Sequence, residues 1–320
     1  MKALVGQKAL VIQLNTIIAS GRLGHAYIFS GPEGIGKRTF ALSFVKEILC
    51  LGSEKESCRC ISCRTLEQGT NPDFYEVLTD KASIGVDNIR DMQENVADRP
   101  TYGNRKVYFI DHAELMTVQA QNCLLKTLEE PPEYVVILLS STSFDALLPT
   151  IQSRVVNFRM NPYSEEEMKR ILSPIYNTND KELEFILAFS RGIPGNAVHI
   201  IEQGMIKEIR SQVMKFLEKP QDFNQSENLR KLISDNREEL STVLDILMSV
   251  YRDCVMLRQG MENRLINDDK KDIIKRIALS SSQRKLLDKI SALEKMRRNF
   301  KYNLNFQLVL EVLFLEIQEV

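Results

Sequence analysis

Short apolar runs alternate with amphipathic stretches over the first half of the chain, and the second half carries helical periodicity alone. The runs His25–Ser30, Asp73–Leu78, Lys106–Asp111 and Val135–Ser141, with a short one at Val155–Arg159, have the length and content of buried strands. Between them, Lys37–Cys50, Val86–Ala97 and Thr117–Glu129 repeat apolar residues every three or four positions, as one face of a helix does. Alternation of this kind predicts α/β architecture, a parallel sheet covered by helices on both faces. At the start, Leu10, Ile12, Leu14, Ile17 and Ile18 suit an amphipathic helix, and Lys8, Gln13 and Asn15 interrupt what would otherwise resemble a signal peptide. No run of about 18 uncharged apolar residues occurs, so no membrane span is expected and the cytosol is the expected compartment.

Pro162 breaks the pattern after the last strand. A small helical unit follows, opened by Ser164 and Glu167 as a capping box and interrupted near its end by Gly192, Pro194 and Gly195. From about residue 206 the series Leu240, Val243, Leu247, Val250, Cys254, Leu257, then Leu286, Ile290, Leu293, then Phe306, Leu310, Leu313, Ile317, predicts an all-α bundle. The expected domains are therefore 1–160, 161–205 and 206–320. Composition adds one constraint. With 42 Lys+Arg against 43 Asp+Glu the net charge is −1, so any nucleic-acid contact must come from a local patch or from other subunits. The basic run Lys295-Met296-Arg297-Arg298 reads as a solvated helix end.

Two motifs carry chemistry. Gly31-Pro32-Glu33-Gly34-Ile35-Gly36-Lys37 follows a strand and opens a helix, the context of a phosphate-binding P-loop. Gly31, Gly34 and Gly36 let backbone N–H groups turn toward phosphate, and Lys37 reaches the outer phosphates. The next residue should be Ser or Thr to hold Mg²⁺, but it is Arg38, and Thr39 is rotated about 100° away around the helix. Asp111 ends an apolar strand as the usual carboxylate partner of that metal. Whether ATP still binds here stays open. The other motif is Cys50, Cys58, Cys60 and Cys63, spaced C-x7-C-x-C-x2-C. Four thiolates suit a closed, structural tetrahedral Zn²⁺ site, with free thiols as the alternative. Cys123 and Cys254 lie on apolar helical faces and read as core thiols.

The stretch Gln119-Ala120-Gln121-Asn122-Cys123-Leu124-Leu125-Lys126-Thr127-Leu128-Glu129-Glu130-Pro131-Pro132, with Leu148-Pro149-Thr150-Ile151-Gln152-Ser153-Arg154 after it, resembles the signature of sliding-clamp loaders. With the P-loop and the cysteine cluster, the chain is similar to the bacterial DNA polymerase III clamp-loader subunits of the AAA+ superfamily, most strongly over 25–160. The resemblance implies an AAA+ module at 1–160 with a zinc module at 50–63, a helical lid at 161–205 and a helical collar at 206–320 that closes a hetero-pentameric ring. Its implied partners are a delta subunit, gamma/tau-type ATPase subunits, the sliding clamp and primed DNA. Members belong to a DNA-directed DNA polymerase holoenzyme, but no residues here form a nucleotidyl-transfer site.

Carried onto this sequence, Arg154 takes the place of an arginine finger acting in trans on a neighbour's ATP, in a motif that reads Ser-Arg-Val where the family has Ser-Arg-Cys. An ordinary loop salt bridge is the alternative. Thr142 takes the sensor-1 position, Gly195 the place of the sensor-2 arginine, and His112 that of the catalytic Glu, with Glu114 too far along to replace it. The family's usual last cysteines are C-x2-C-x2-C, one residue longer than here. These departures imply a ring member that does not hydrolyse ATP. The alternative is an active AAA+ motor subunit.

Overall fold

Five β-strands pair in the order β2-β3-β4-β1-β5, every neighbour parallel. This computed structural model describes residues 4–52, 58–77, 83–176, 181–203, 205–235, 237, 239–300 and 306–318. The chain runs through α1 (Lys8–Ser20), β1 (Ala26–Ser30), α2 (Lys37–Leu49), α3 (Ile61–Glu67), β2 (Phe74–Val77), α4 (Val86–Val96), β3 (Lys106–Ile110), α5 (Val118–Glu129), β4 (Val135–Ser141), α6 (Pro149–Gln152), β5 (Val156–Arg159) and α7 (Glu165–Leu172). Each predicted strand is present, within a residue or two of its expected ends; Leu78 of the second lies outside the described residues. β1, β3 and β4 are buried at every position, which is why they read as continuous apolar runs. Connecting parallel neighbours requires crossovers, and α4 (β2 to β3) and α5 (β3 to β4) supply them, while α2 lies on the longer path from β1 to β2.

Phe44 of α2 packs edge-on against Tyr27 of β1, with ring centroids 5.5 Å apart, and Phe158 of β5 stacks on Tyr27 at 5.6 Å. The other face carries α4 and α5 through Ile89, Met92, Val96, Ala120, Leu124 and Leu128. The predicted helix near the start forms, but only Leu10 and Leu14 of its apolar positions are fully buried, and Ile12 is exposed. The capping box of α7 is present: Glu167 N donates to Ser164 Oγ at 3.3 Å, and Ser164 N to Glu167 Oε2 at 3.0 Å.

The chain divides into two compact units, one of residues 1–174 with 191–196, the other of 175–190 with 197–320. The stretch 161–205 is thus shared between them. The second unit is all helical in its described residues: α8 (Lys181–Ser190), α9 (Pro194–Gln203, from Ala197), α10 (Met205–Glu218), α11 (Phe223–Asp235), α12 (Glu239–Arg258), α13 (Lys271–Ser280), α14 (Gln283–Phe300) and α15 (Phe306–Gln318). α12 is its axis and packs against α10, α11, α13 and α14. Asp253, fully buried on α12, accepts the backbone N–H groups of Ile266 and Asn267, which offsets the cost of burying a carboxylate. Cys254 is buried as expected, whereas Cys123 is half-buried and its thiol donates to Gln93 Oε1 at 3.2 Å. Arg297 of the basic run pairs with Asp245 at 2.6 Å. No helix among the described residues is long and apolar enough to cross a membrane.

Candidate functional site

The P-loop lies between β1 and α2, at the carboxyl end of the sheet, where open α/β folds bind ligands. Gly31, Gly34 and Gly36 all have positive φ, the backbone form that turns N–H groups inward. The cationic groups of this loop are already engaged inside the chain. Lys37 is buried and its Nζ donates to Gly31 O at 2.9 Å and Pro32 O at 3.0 Å. Burial pushes its pKa down, against the pull of Glu114, Asp111 and Glu33. Arg38 forks onto the carboxylate of Glu76, from β2, and reaches Asp111 Oδ2 at 3.3 Å. A guanidinium thus lies against the carboxylate that would serve Mg²⁺. Thr39, the next residue of α2, is exposed.

Around Asp111 the polar groups also satisfy one another. Ser140 donates to Asp111, and His112 N–H to Asp111 Oδ1 at 3.1 Å. His112 sits at φ 51°, a left-handed conformation uncommon for a non-glycine residue. The single turn Ala113–Leu115 that follows brings Glu114 back toward β4. There Glu114 Oε1 accepts the Thr142 hydroxyl at 2.8 Å and lies 3.2 Å from His112 Nδ1. Burial opposes ionisation of Glu114, but the Thr142 hydroxyl, its own backbone N–H, Ser141 and His112 hold it below the usual carboxylate range. Glu114, too far along to stand in for the catalytic Glu by sequence position, is the hydrogen-bond partner of Thr142.

Gly195, the candidate for the sensor-2 place, donates its N–H to Gly34 O at 2.8 Å. A Cβ on Gly195 would come within 2.6 Å of the Gly34 Cα, so backbone meets backbone and no arginine fits without moving the loop. Gly195→Ala is therefore expected to cost about 1–3 kcal/mol, the usual penalty of overpacking. A urea midpoint equal to that of the unaltered chain would contradict this contact.

Arg154 is exposed just past α6. Its Nη1 donates to Thr150 O at 2.9 Å, and its Nη2 lies 2.8 Å from Glu129 Oε1 at the end of α5. The clamp-loader signature on α5 divides by face. Ala120, Gln121, Leu124 and Leu128 are buried, while Asn122, Lys126 and Glu129 form an outward polar row that ends at Arg154.

Residues 6–164 match the family described as DNA polymerase III, delta subunit, and residues 206–319 its C-terminal counterpart. A DNA polymerase III subunit delta' of Bacillus subtilis is 31% identical over 94% of this chain and 93% of its own length. The chain belongs to the delta' family of DNA polymerase III clamp-loader subunits. A subunit delta' of Pseudomonas aeruginosa is 36% identical over 67% of this chain and 65% of its own. A subunit tau of Escherichia coli is 34% identical over 63% of this chain, which spans 32% of that longer protein. A gamma subunit-related protein of Thermotoga maritima shares the fold, with TM-score 0.53 at 20% identity over 96% of this chain and 99% of its own.

In this delta'-family chain the four cysteines of the cluster converge. The Sγ atoms of Cys50, Cys58, Cys60 and Cys63 all lie within 4.8 Å of one another. Zn–S bonds of about 2.3 Å place tetrahedral sulfurs about 3.8 Å apart, so one ion fits the set. A Cβ on Gly52 would stand 2.4 Å from Cys58 Sγ, and the glycine leaves room for that sulfur. Burial raises the Cys60 thiol, but N–H donation from Cys63 and Leu51 and the adjacent Cys63 and Cys58 thiols bring it down to about 6. The single residue between Cys58 and Cys60 does not keep their sulfurs out of the cluster.

Sequence reasoning missed Glu76 and, while naming Glu114, did not foresee its contact with Thr142. Glu76 is on the edge strand β2, 38 residues from Arg38 of α2, with no local signal. For Glu114 the signal was its neighbour His112, whose left-handed turn reverses the chain.

Proposed function

We propose that this chain is a ring member that does not hydrolyse ATP, and that it lends Arg154 to the ATP site of an adjacent gamma/tau-type motor subunit while the loader opens the sliding clamp and delivers it to primed DNA. The observation that carries this reading is Arg38, which forks onto Glu76 and reaches Asp111 where a motor needs a hydroxyl and a metal. A fixed internal cation there competes directly with magnesium. Gly195 packed on Gly34, and Thr142 already donating to Glu114, act in the same direction. Under this reading 161–205 is a lid, 206–320 a collar that closes a hetero-pentamer with a delta subunit, and Cys50, Cys58, Cys60 and Cys63 hold a structural Zn²⁺ that pins 50–63 to α2, with no open position for chemistry. The place of action is the cytoplasm.

Glu114 is the one observation that favours an active motor, because it offers a carboxylate near the sensor-1 hydroxyl. Equilibrium binding of Mg-ATP to the full-length chain separates the two readings. The expected result is no saturable binding at millimolar nucleotide and no turnover by the chain alone. Saturable binding with turnover, both abolished by Lys37→Ala, would establish the motor instead.

A further inference from the structure

We infer that Glu129 is a positioning residue which parks the Arg154 guanidinium on its own subunit until a neighbour's γ-phosphate displaces it; this rests on Arg154 acting in trans.

One helix fixes both members of the pair. Gln121 of α5 is buried, and its Oε1 accepts Leu148 N–H at 2.8 Å, which anchors the start of α6. α6 then presents Arg154, held by Thr150 O at 2.9 Å and Ser153 Oγ at 3.3 Å. Eight residues further along α5, about 12 Å, Glu129 meets the same guanidinium. Helix stability does not explain an acid there. A carboxylate at a helix C-terminus is disfavoured by the dipole, and Glu129 buries little, its side chain being 50% exposed. Its counter-charge is Arg154.

The pair is weak by construction. Both side chains are substantially exposed, 35% for Arg154 and 50% for Glu129, so solvent and salt screen the attraction. Glu129 supplies the negative charge among these contacts, beside Thr150 O and Ser153 Oγ, and so directs the arginine without locking it. A γ-phosphate carries more charge and more acceptor oxygens, so it outcompetes Glu129 when presented. Exchange of one anion for another moves no proton and breaks no covalent bond. The finger stabilises charge that grows in the transition state, so the parked pair opposes turnover more than ground-state nucleotide binding.

The test is a reconstituted loader of delta, motor subunits and full-length chains carrying Glu129→Gln, Arg154→Ala or both. The quantity read is the kcat of each loader, and its Arg154-dependent component is the difference between loaders with Arg154 and with Arg154→Ala. Glu129→Gln is expected to raise the kcat of that component about two- to fivefold with KM for ATP unchanged. The gain should shrink at high salt, where the unaltered pair is already screened. It should vanish in the Arg154→Ala background, which a merely structural role would not require. A kcat that is unchanged or falls, or a Glu129→Gln effect that persists without Arg154, overturns the inference and leaves the trans role standing. Full turnover by the Arg154→Ala loader removes the trans role, and this inference with it.

Discussion

Replacing Arg154 with Ala is expected to lower hydrolysis at the motor site facing this chain by about 10³-fold or more, with ring assembly intact. The size follows from the chemistry. A guanidinium aimed at the transferring phosphoryl group supplies positive charge where charge develops, in a site closed to water. The structure gives the same substitution little power over this chain's own fold. Arg154 is exposed, its contact with Glu129 is a surface ion pair, and its remaining bonds are to Thr150 and Ser153 beside it. Losing such contacts costs well under about 1 kcal/mol of stability. Lysine should rescue poorly, because a point charge on a flexible stem does not reproduce the planar fork. The informative contrast is Lys37→Ala. That lysine donates to its own loop carbonyls, so its removal should leave loader turnover unchanged. Single-turnover phosphate release from loaders carrying each variant reads both effects. Retention of the full burst by Arg154→Ala would reduce the Glu129 contact to an ordinary loop salt bridge.

The parallel sheet was legible because buried strands such as Val135–Ser141 are apolar at every position, and their period needs no tertiary knowledge. Individual candidate positions could be named where a motif points to them, as for Lys37, Arg38, Asp111 and Arg154. What those residues do to one another was not. Arg38 could be read as a lost hydroxyl, but its role as a cation against Asp111 depends on Glu76, which the sheet order brings alongside through the pairing of β2 with β3. Gly195 could likewise be read as a missing arginine. That it is a glycine because its backbone touches Gly34 is a packing fact spanning 161 positions of sequence. Glu114 could be read as displaced from the catalytic position, but its hydrogen bond to Thr142 depends on a left-handed His112 that folds the next turn back, which residue spacing does not show. Ile12 shows the same limit in a simpler form: helical spacing located α1 and overstated the width of its buried face.

The full-length chain purified from zinc-replete cells is expected to carry about one equivalent of zinc, and Cys63→Ala to lose it together with the fold of the segment around α3. Cys63 is the most buried of the four cysteines, at 2% exposure, so its loss would remove a thiolate that solvent cannot replace with the same geometry. Structural Zn²⁺ supplies about 10–16 kcal/mol of apparent binding energy in isolated finger peptides. The share spent on folding here should be smaller, because α3 has other anchors. Asn71 donates to Ser62 O at 2.8 Å, and Lys46 of α2 pairs with Glu67 at 2.9 Å. Those anchors predict where the damage stops. Asp73 lies beyond them and holds the N–H of Thr101 and Tyr102 from the sheet side, so β2 and the Arg38 bridge should survive loss of the metal. Protease cleavage should therefore appear within 50–67 of Cys63→Ala while the rest of the first unit stays resistant, and ring assembly should tolerate the change if the module is only a staple. Gly52→Ala should reproduce a milder form of the same loss, since the added carbon crowds Cys58 Sγ without removing a ligand. Metal analysis that finds the unaltered chain zinc-free, yet as resistant over 50–67 as the rest of its unit, would make these four cysteines free thiols.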